Sequence, residues 1–357
     1  MSTKLSLDTY RLLGRSGLRV SPLSLGTMTF GSDWGWGSNE AESRRIFDAY
    51  VDRGGNFIDT ANKYTNGTSE QFVGRFAADK RERLVLATKY TLSMRPGDPN
   101  SSGNHRKNML RSVEQSLARM RTDYLDMLYL HAWDATTPVE EVLRAMDDLV
   151  RSGKVLYLGI SDTPAWQISR MQAIADLRGW APLVALQIEY SLIERTVERE
   201  LIPMAKEMGL GVIPWSPLAS GVLTGKYSKA DLDAGGETAG VVSTRRNVAA
   251  GNGSLTARGL AIAEVVKDVA ARIERTPAQV ALAWVLRQPA VTSPIIGART
   301  IEQLEDNLRA LDVELPGDAL ARLQEASAVE LGFPHDFLNR PMTRGVIFGD
   351  TRLSPRG

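Results

Sequence analysis

The chain has 357 residues, room for one large domain or two medium ones. With 43% hydrophobic and 24% charged residues it has the composition of an ordinary soluble globular protein, and a formal net charge of +1 points to neither nucleic acid nor a membrane surface as partner. The absence of cysteine excludes disulfides and thiolate chemistry, and three histidines (His105, His131 and His335) disfavour a zinc site built from imidazole, so no metal is expected.

In chain order, MSTKLSLDTYRLLGRSG lacks the apolar core of a signal peptide, and no apolar run approaches membrane-spanning length. A cytoplasmic location is the expectation. YRLLGRSG and LRVSPL predict a hairpin turning near residues 15–17. Short apolar runs then follow at LSLGT (23–27), NFIDT (56–60), LVLATK (84–89) and DMLYLHA (126–132). They continue at VLYLGIS (155–161), ALQIEY (185–190), GVIPWS (211–216) and SPIIGA (293–298). Polarity appears at their C-terminal ends, the pattern of parallel strands covered on both faces.

Helices fit between these runs. In NEAESRRIFDAYVDRGG an apolar stripe of Ile46, Phe47, Tyr50 and Val51 is stopped by Gly54. TPVEEVLRAMDDLVRSGK predicts a helix with Thr137 as N-cap and Pro138 at the first helical position, and TPAQVALAWVLRQP (276–289) opens the same way. Eight strands alternating with helices predict an α/β fold, a (β/α)8 TIM barrel forming one domain over residues 1–357. The rival doubly wound sheet requires a glycine fingerprint after its first strand, and MTFGSDWGWGSNE has none. Three long insertions, at 28–38, 91–104 and 217–256, each follow a strand and so fall on the C-terminal face, where barrels place their sites.

The strand ends carry the chemistry. FIDTANKYTNG (57–67) presents Asp59 at the end of one strand and Tyr64 in its loop. The next two strands end near Lys89 and His131, and later ones at Ser161-Asp162, Gln187 to Tyr190 and Trp215-Ser216. Singly, Lys89 reads as a snorkelling lysine, His131 as a satisfied core histidine and Asp59 as a cap. In a barrel all of them converge on one mouth. Together they suit carbonyl reduction, in which a hydride reaches the carbonyl carbon and a proton its oxygen. Tyrosine is a weak acid, with an ordinary pKa near 10, and bringing it toward 7 costs about 4 kcal/mol. A lysine ammonium at about 4 Å supplies roughly that at an effective dielectric near 20, and only about 1 kcal/mol in water. Tyr64 is therefore expected to need Lys89 close and water excluded, with Asp59 holding Lys89 charged and His131 orienting the carbonyl oxygen. Lys63, beside Tyr64, is the wrong lysine if the strand geometry holds.

The sequence resembles the aldo-keto reductases along nearly its whole length. The matching motifs are GTMTFG (26–31), DTANKYTNGTSE (59–70), LATKY (86–90), DYLDMLYLHAWD (123–134), GKVLYLGISD (153–162), QIEYSLI (187–193), PWSPLASGVLTGKY (214–227) and IIGARTIEQLEDNLRAL (295–311). GNHRKNMLRSVEQSLARMRTDYLDMLYLHAWD with LGISDTPAW looks closest to the aryl-alcohol dehydrogenase branch. The resemblance implies a catalytic tetrad of Asp59, Tyr64, Lys89 and His131. It also implies NADP(H) bound without a Rossmann fold. Thr27 and Met28 would join the cofactor contacts, Ser161, Asp162 and Gln187 would meet the carboxamide, and Trp215 would stack on the nicotinamide. Many members carry Asn where this chain has Asp162. Ser216, Pro217, Leu218, Ser220 and Lys226 would follow the diphosphate, and Gly297, Arg299, Gln303, Asp306 and Asn307 would hold the adenosine end. Arg299 at a helix start suits a 2′-phosphate, although a plain surface arginine is its rival reading.

Met28, Trp34, Trp36, Tyr90 and Trp133 are candidates for an apolar substrate pocket, with core packing an equal reading; Arg245 and Arg246 read as a cofactor clamp or as solvated surface, and His105 as structural at a helix start. The expected partner is a small carbonyl or alcohol substrate, aromatic or otherwise apolar. Two other readings remain. A cofactor-binding regulatory subunit, like the potassium-channel β subunits of this fold, is expected to depart from the tetrad at His131. A Schiff-base aldolase using Lys89 leaves Trp215, Arg299 and the Gln303/Asn307 face unexplained.

Overall fold

The computed structural model describes residues 5–233 and 244–352. The middle of the third insertion, 234–243, and the side chain of Arg245 lie outside the described residues. Eight parallel strands form one sheet: β1 Ser24–Gly26, β2 Phe57–Asp59, β3 Val85–Tyr90, β4 Leu125–Leu130, β5 Val155–Ser161, β6 Leu183–Glu189, β7 Gly211–Trp215 and β8 Ile295–Gly297. They pair in the order β8-β1-β2-β3-β4-β5-β6-β7. A bridge between Val212 and Val291 nearly closes the ring, with the Val212 amide donating to Ala290 O at 3.0 Å and the Thr292 amide to Val212 O at 2.8 Å. With helices between the strands this is the expected (β/α)8 barrel.

β1, β2 and β8 are shorter than their apolar runs suggest, at three residues each. Their flanks keep single bonds, such as Thr27 N to Asp59 O at 2.9 Å, but not the ladder. Before β8, Pro294 has no amide to extend it.

Side-chain alternation splits the apolar residues into two layers. Leu25, Ile58, Leu86, Leu128 and Leu186 point outward under the helices. Phe57, Val85, Ala87, Met127, Tyr129, Ala185 and Ile213 fill the barrel interior. The expected N-terminal hairpin is present, Arg11–Leu12 pairing antiparallel with Arg19–Val20, and it sends Leu13 and Val20 into that inner layer. The hairpin thus plugs the end opposite the mouth, where Phe57 and Val85 begin their strands.

The helices follow their signals with one correction. The helix Glu40–Asp52 starts at Asn39, whose side chain accepts from the Glu42 amide, buries the predicted stripe and ends before Gly54 at φ 89°. The helix Pro277–Leu286 is capped by Thr276 as read. The helix Val139–Arg151 instead places Pro138 at the cap. Thr137 is not the N-cap, because Asp134 captures its amide at 2.9 Å and its hydroxyl at 2.8 Å. His105 is structural, its Nδ1 capping the helix Arg106–Met120 at the Asn108 amide. No described helix is long and apolar enough to cross a membrane.

Gly14 sits at φ 54°, where a Cβ would lie 2.3 Å from Val184 O and 2.5 Å from Gly209 O. Both neighbours are backbone, so neither gives way easily. Gly14→Ala is expected to destabilise by roughly 1–3 kcal/mol, read as a lower urea midpoint at unchanged m-value. An unchanged midpoint would mean that the plug does not seat as described.

Candidate active site

The strand ends open onto a cavity of about 710 Å³. Beneath its floor lies Lys89. Val85 and Ala87 face the barrel interior, so Lys89, two residues further along β3, faces inward too. Its side chain is fully buried, and Nζ donates to Asp59 Oδ2 at 2.6 Å, Thr60 O at 2.9 Å and Tyr64 OH at 3.2 Å. All three ammonium hydrogens are thereby used. Gln187 Nε2 donates to the other oxygen of Asp59 at 2.8 Å. His131 stands edge-on to Tyr64, ring centroids 6.0 Å apart at 81°. Its Nδ1 is buried without a partner among the described residues. Asp59, Tyr64 and His131 reach the cavity wall, and Lys89 stays behind them.

The electrostatics differ from expectation at one point. Burial works against the Lys89 charge, but Asp59 and Tyr64 outweigh it and hold the ammonium above its ordinary pKa. Tyr64 is not drawn down toward 7. Burial pushes its phenol above the ordinary value, Lys89 opposes this, and Asp59 adds to it. The lysine charge is already engaged by Asp59 and cannot fully offset desolvation. Burial, then Lys89, pushes His131 down to about 3, so its imidazole is neutral. Asp162 is raised, by desolvation at the mouth, against the hydrogen bond it accepts from Trp215 Nε1 at 3.0 Å.

Of the residues expected to meet a cofactor, Met28, Ser161, Asp162, Gln187, Trp215, Ser216, Pro217, Leu218, Ser220, Lys226, Gly297, Arg299, Gln303, Asp306 and Asn307 all line this one cavity. Thr27 does not; it is fully buried with its hydroxyl donating to Asp59 O at 3.0 Å. Asp306 is on the wall, but its carboxylate already accepts from Thr276 and from Gln279 Nε2 at 2.7 Å. Ser161 Oγ is buried, with no hydrogen bond within 3.5 Å among the described residues and Asp162 as its polar neighbour. Gln303 Oε1 accepts from the Arg299 amide at 2.9 Å, and Asn307 Nδ2 donates to Gly297 O at 3.2 Å, bracing the turn that carries Arg299. Of the candidates for an apolar pocket Met28 and Trp34 line the cavity, whereas Trp36, Tyr90 and Trp133 do not. Tyr90 is turned away, donating to Asn104 O at 3.2 Å.

Residues not anticipated on the wall include Lys63, Leu92, Val248 and Asn252. Asn252 hydrogen-bonds Ser220 Oγ at 2.8 Å, a long-range contact without a sequence signal. Arg246 hydrogen-bonds Asp231 O and is not on the wall. Left-handed backbone gathers at the same face: Asp162 at φ 40°, Ser216 at 51°, Ser220 at 55°, and Thr65 and Asn66 at 45° and 53°. Strain of this kind persists where surrounding structure over-determines it.

The His131 shift has a consequence for stability. An unfolded chain protonates this histidine below about 6.5, whereas the folded one resists until about 3. The unfolded state therefore binds the extra proton, and stability is lost as pH falls through that window, by up to about 1.4 kcal/mol per pH unit. Urea unfolding between these limits is expected to show a shallower loss in His131→Asn than in the unsubstituted chain. Equal slopes would contradict a neutral, buried His131.

Residues 22–328 match the model of the Aldo/keto reductase family. Norsolorinic acid reductase of Aspergillus flavus is 37% identical over 343 residues, covering 93% of this chain and 84% of that one. The aryl-alcohol dehydrogenase [NADP(+)] of Phanerodontia chrysosporium is 36% identical over 359 residues, covering 94% and 87%. An uncharacterized oxidoreductase of Bacillus subtilis, YrpG, is 39% identical over 328 residues, covering 88% and 95%. With a barrel of this topology, and a lysine-bridged aspartate and tyrosine at its mouth, the chain belongs to the aldo/keto reductase family.

Proposed function

We propose that this chain is an NADP(H)-dependent reductase that converts aldehydes or ketones reversibly to alcohols, with Tyr64 as proton donor and aromatic or other apolar carbonyls as substrates. It would act in the cytoplasm as a single barrel domain. The observation that carries the reading is Lys89 Nζ bridging Asp59 at 2.6 Å and Tyr64 at 3.2 Å at the floor of the cavity.

The wall suits a nicotinamide dinucleotide. The buried Ser161 hydroxyl on the wall is a ready partner for a carboxamide, and Asp162 can accept its N–H. Trp215 is fixed in place by Asp162 and offers a ring face. Arg299, just ahead of the helix Ile301–Leu308, fits an added phosphate, and a relative named for NADP(+) points the same way. When bound, such a cofactor supplies the hydride.

The chain's own residues manage the proton. A carbonyl oxygen lodged between Tyr64 OH and His131 meets a phenol that stays protonated throughout the neutral range, because burial holds its pKa up. As negative charge develops on that oxygen, the phenol proton moves to it. The phenolate left behind lies 3.2 Å from an ammonium that cannot leave. A pair at such a separation gains on the order of 4 kcal/mol at an effective dielectric near 20. The neutral imidazole of His131 orients the oxygen without adding a positive charge beside Lys89.

The competing readings fare worse. A Schiff-base lysine must be neutral and exposed to its substrate. Lys89 is held charged, fully bonded and off the cavity wall. A binding subunit without turnover does not require the intact pairing of Tyr64 with His131 at the mouth.

Tyr64→Phe is expected to lower kcat by about 100-fold or more while tryptophan quenching by NADPH persists. Retained turnover would remove Tyr64 as the acid. Arg299→Ala is expected to weaken NADPH about tenfold more than NADH, by loss of a charge-assisted contact. Equal losses would remove the argument for a 2′-phosphate.

A further inference from the structure

Lys63 has no task in the reduction described above. It caps the short turn Tyr64–Gly67, is half-buried, and lines the cavity beside Tyr64, His131, Trp34 and Leu92. Its ammonium has neither a hydrogen bond nor a carboxylate within 4.0 Å among the described residues. Other lysines at half-buried positions do find anions: Lys80 meets Asp48 and Asp79, and Lys154 meets Glu114.

Among the described residues, the surroundings of Lys63 offer it no counter-ion. Three carboxylates of those residues stand on the cavity wall, and each is engaged elsewhere. Asp59 is held by Lys89 and Gln187, Asp162 by Trp215, and Asp306 by Thr276 and Gln279. Asp33, on the neighbouring loop, accepts from Thr68 at 3.1 Å and is not on the wall. The other wall cations, Lys226 and Arg299, follow β7 and β8. Lys63 follows β2, on the side where Trp34 of the first loop and Leu92 of the third make the wall apolar.

The backbone beneath Lys63 is rigidly placed relative to the reacting tyrosine. The Asn62 amide donates to Lys89 O at 3.1 Å, the Tyr64 amide to Ala61 O at 3.1 Å and the Asn66 amide to Lys63 O at 3.0 Å. Thr65, in left-handed backbone, is tied by its hydroxyl to Phe30 O at 2.7 Å. A point charge without a counter-ion among the described residues, at a fixed offset from the proton donor and beside apolar walls, concentrates anions at that position.

We propose that Lys63 determines substrate specificity by receiving a carboxylate carried on the aromatic or apolar body of the carbonyl substrate, while the carbonyl sits at Tyr64 and His131. This rests on the reductase reading given above. The preferred substrate class is then an oxo-acid with an apolar body, in which carbonyl and carboxylate lie at opposite ends.

The test compares para-carboxybenzaldehyde with its methyl ester, using NADPH and the full chain. The quantity read is the ratio of their kcat/KM values, acid over ester, in the unsubstituted chain, in Lys63→Met and in Lys63→Arg. Differences in intrinsic aldehyde reactivity cancel when that ratio is compared between chains. It is expected to fall about tenfold in Lys63→Met, equivalent to about 1.4 kcal/mol, chiefly through KM for the acid, and to recover in Lys63→Arg. Added salt is expected to lower the ratio in the unsubstituted chain and not in Lys63→Met. A ratio unmoved by Lys63→Met, with both aldehydes reduced, would overturn the specificity role and leave the reductase intact. Reduction of neither aldehyde, nor of para-nitrobenzaldehyde, would overturn the reductase reading and the specificity role with it.

Discussion

A fully buried ammonium governs this structure. Lys89 sits among barrel side chains with no exposure, and an unpaired charge there would be untenable. It is stable because Asp59, Thr60 O and Tyr64 OH take its three hydrogens. Asp59 is in turn committed on both oxygens, the second to Gln187 across the barrel on β6. One charged pair thus ties β2, β3 and β6 together and fixes a phenol at the cavity floor. Removing one partner would strand the other, so the network is costly to alter piecemeal.

In the proposed reduction, the same pairing would serve proton transfer without a lowered tyrosine pKa. Burial keeps the Tyr64 phenol protonated and the His131 imidazole neutral. The site at rest therefore holds a protonated phenol beside a charged lysine. In the proposed reduction, Lys89 would act on the product of proton transfer more than on the resting acid. The left-handed residues at the strand ends, Asp162 and Ser216 among them, belong to the same design, since they turn side chains into the mouth directly from the last strand residue.

Much of this was legible in the sequence, for a physical reason. Strand alternation and strand-end polarity are local, so Asp59, Lys89 and His131 could be placed at one mouth from the order of apolar runs alone. The cap at Thr276 and the stop at Gly54 are equally local. What escaped depends on three-dimensional competition. The Tyr64 shift required knowing how far burial outweighs Lys89. Thr27 sits in a matching motif, yet its hydroxyl is consumed by Asp59 O below the wall. Trp36, Tyr90 and Trp133 are residue types that suit a pocket, yet they lie off its wall. From the sequence Lys63 is only the lysine that does not partner the tyrosine; that it lines the same cavity with no counter-ion among the described residues is a fact of surroundings, invisible in DTANKYTNG.

The measurement that tests the account most directly is a titration of the intact chain with NADPH, followed by tryptophan fluorescence, and then addition of para-nitrobenzaldehyde while NADPH absorbance is monitored. The account predicts quenching, because Trp215 is on the cavity wall, and then oxidation of NADPH. Quenching without oxidation across several carbonyls would contradict the role given to Lys89 and Tyr64. No quenching would contradict the cofactor site itself.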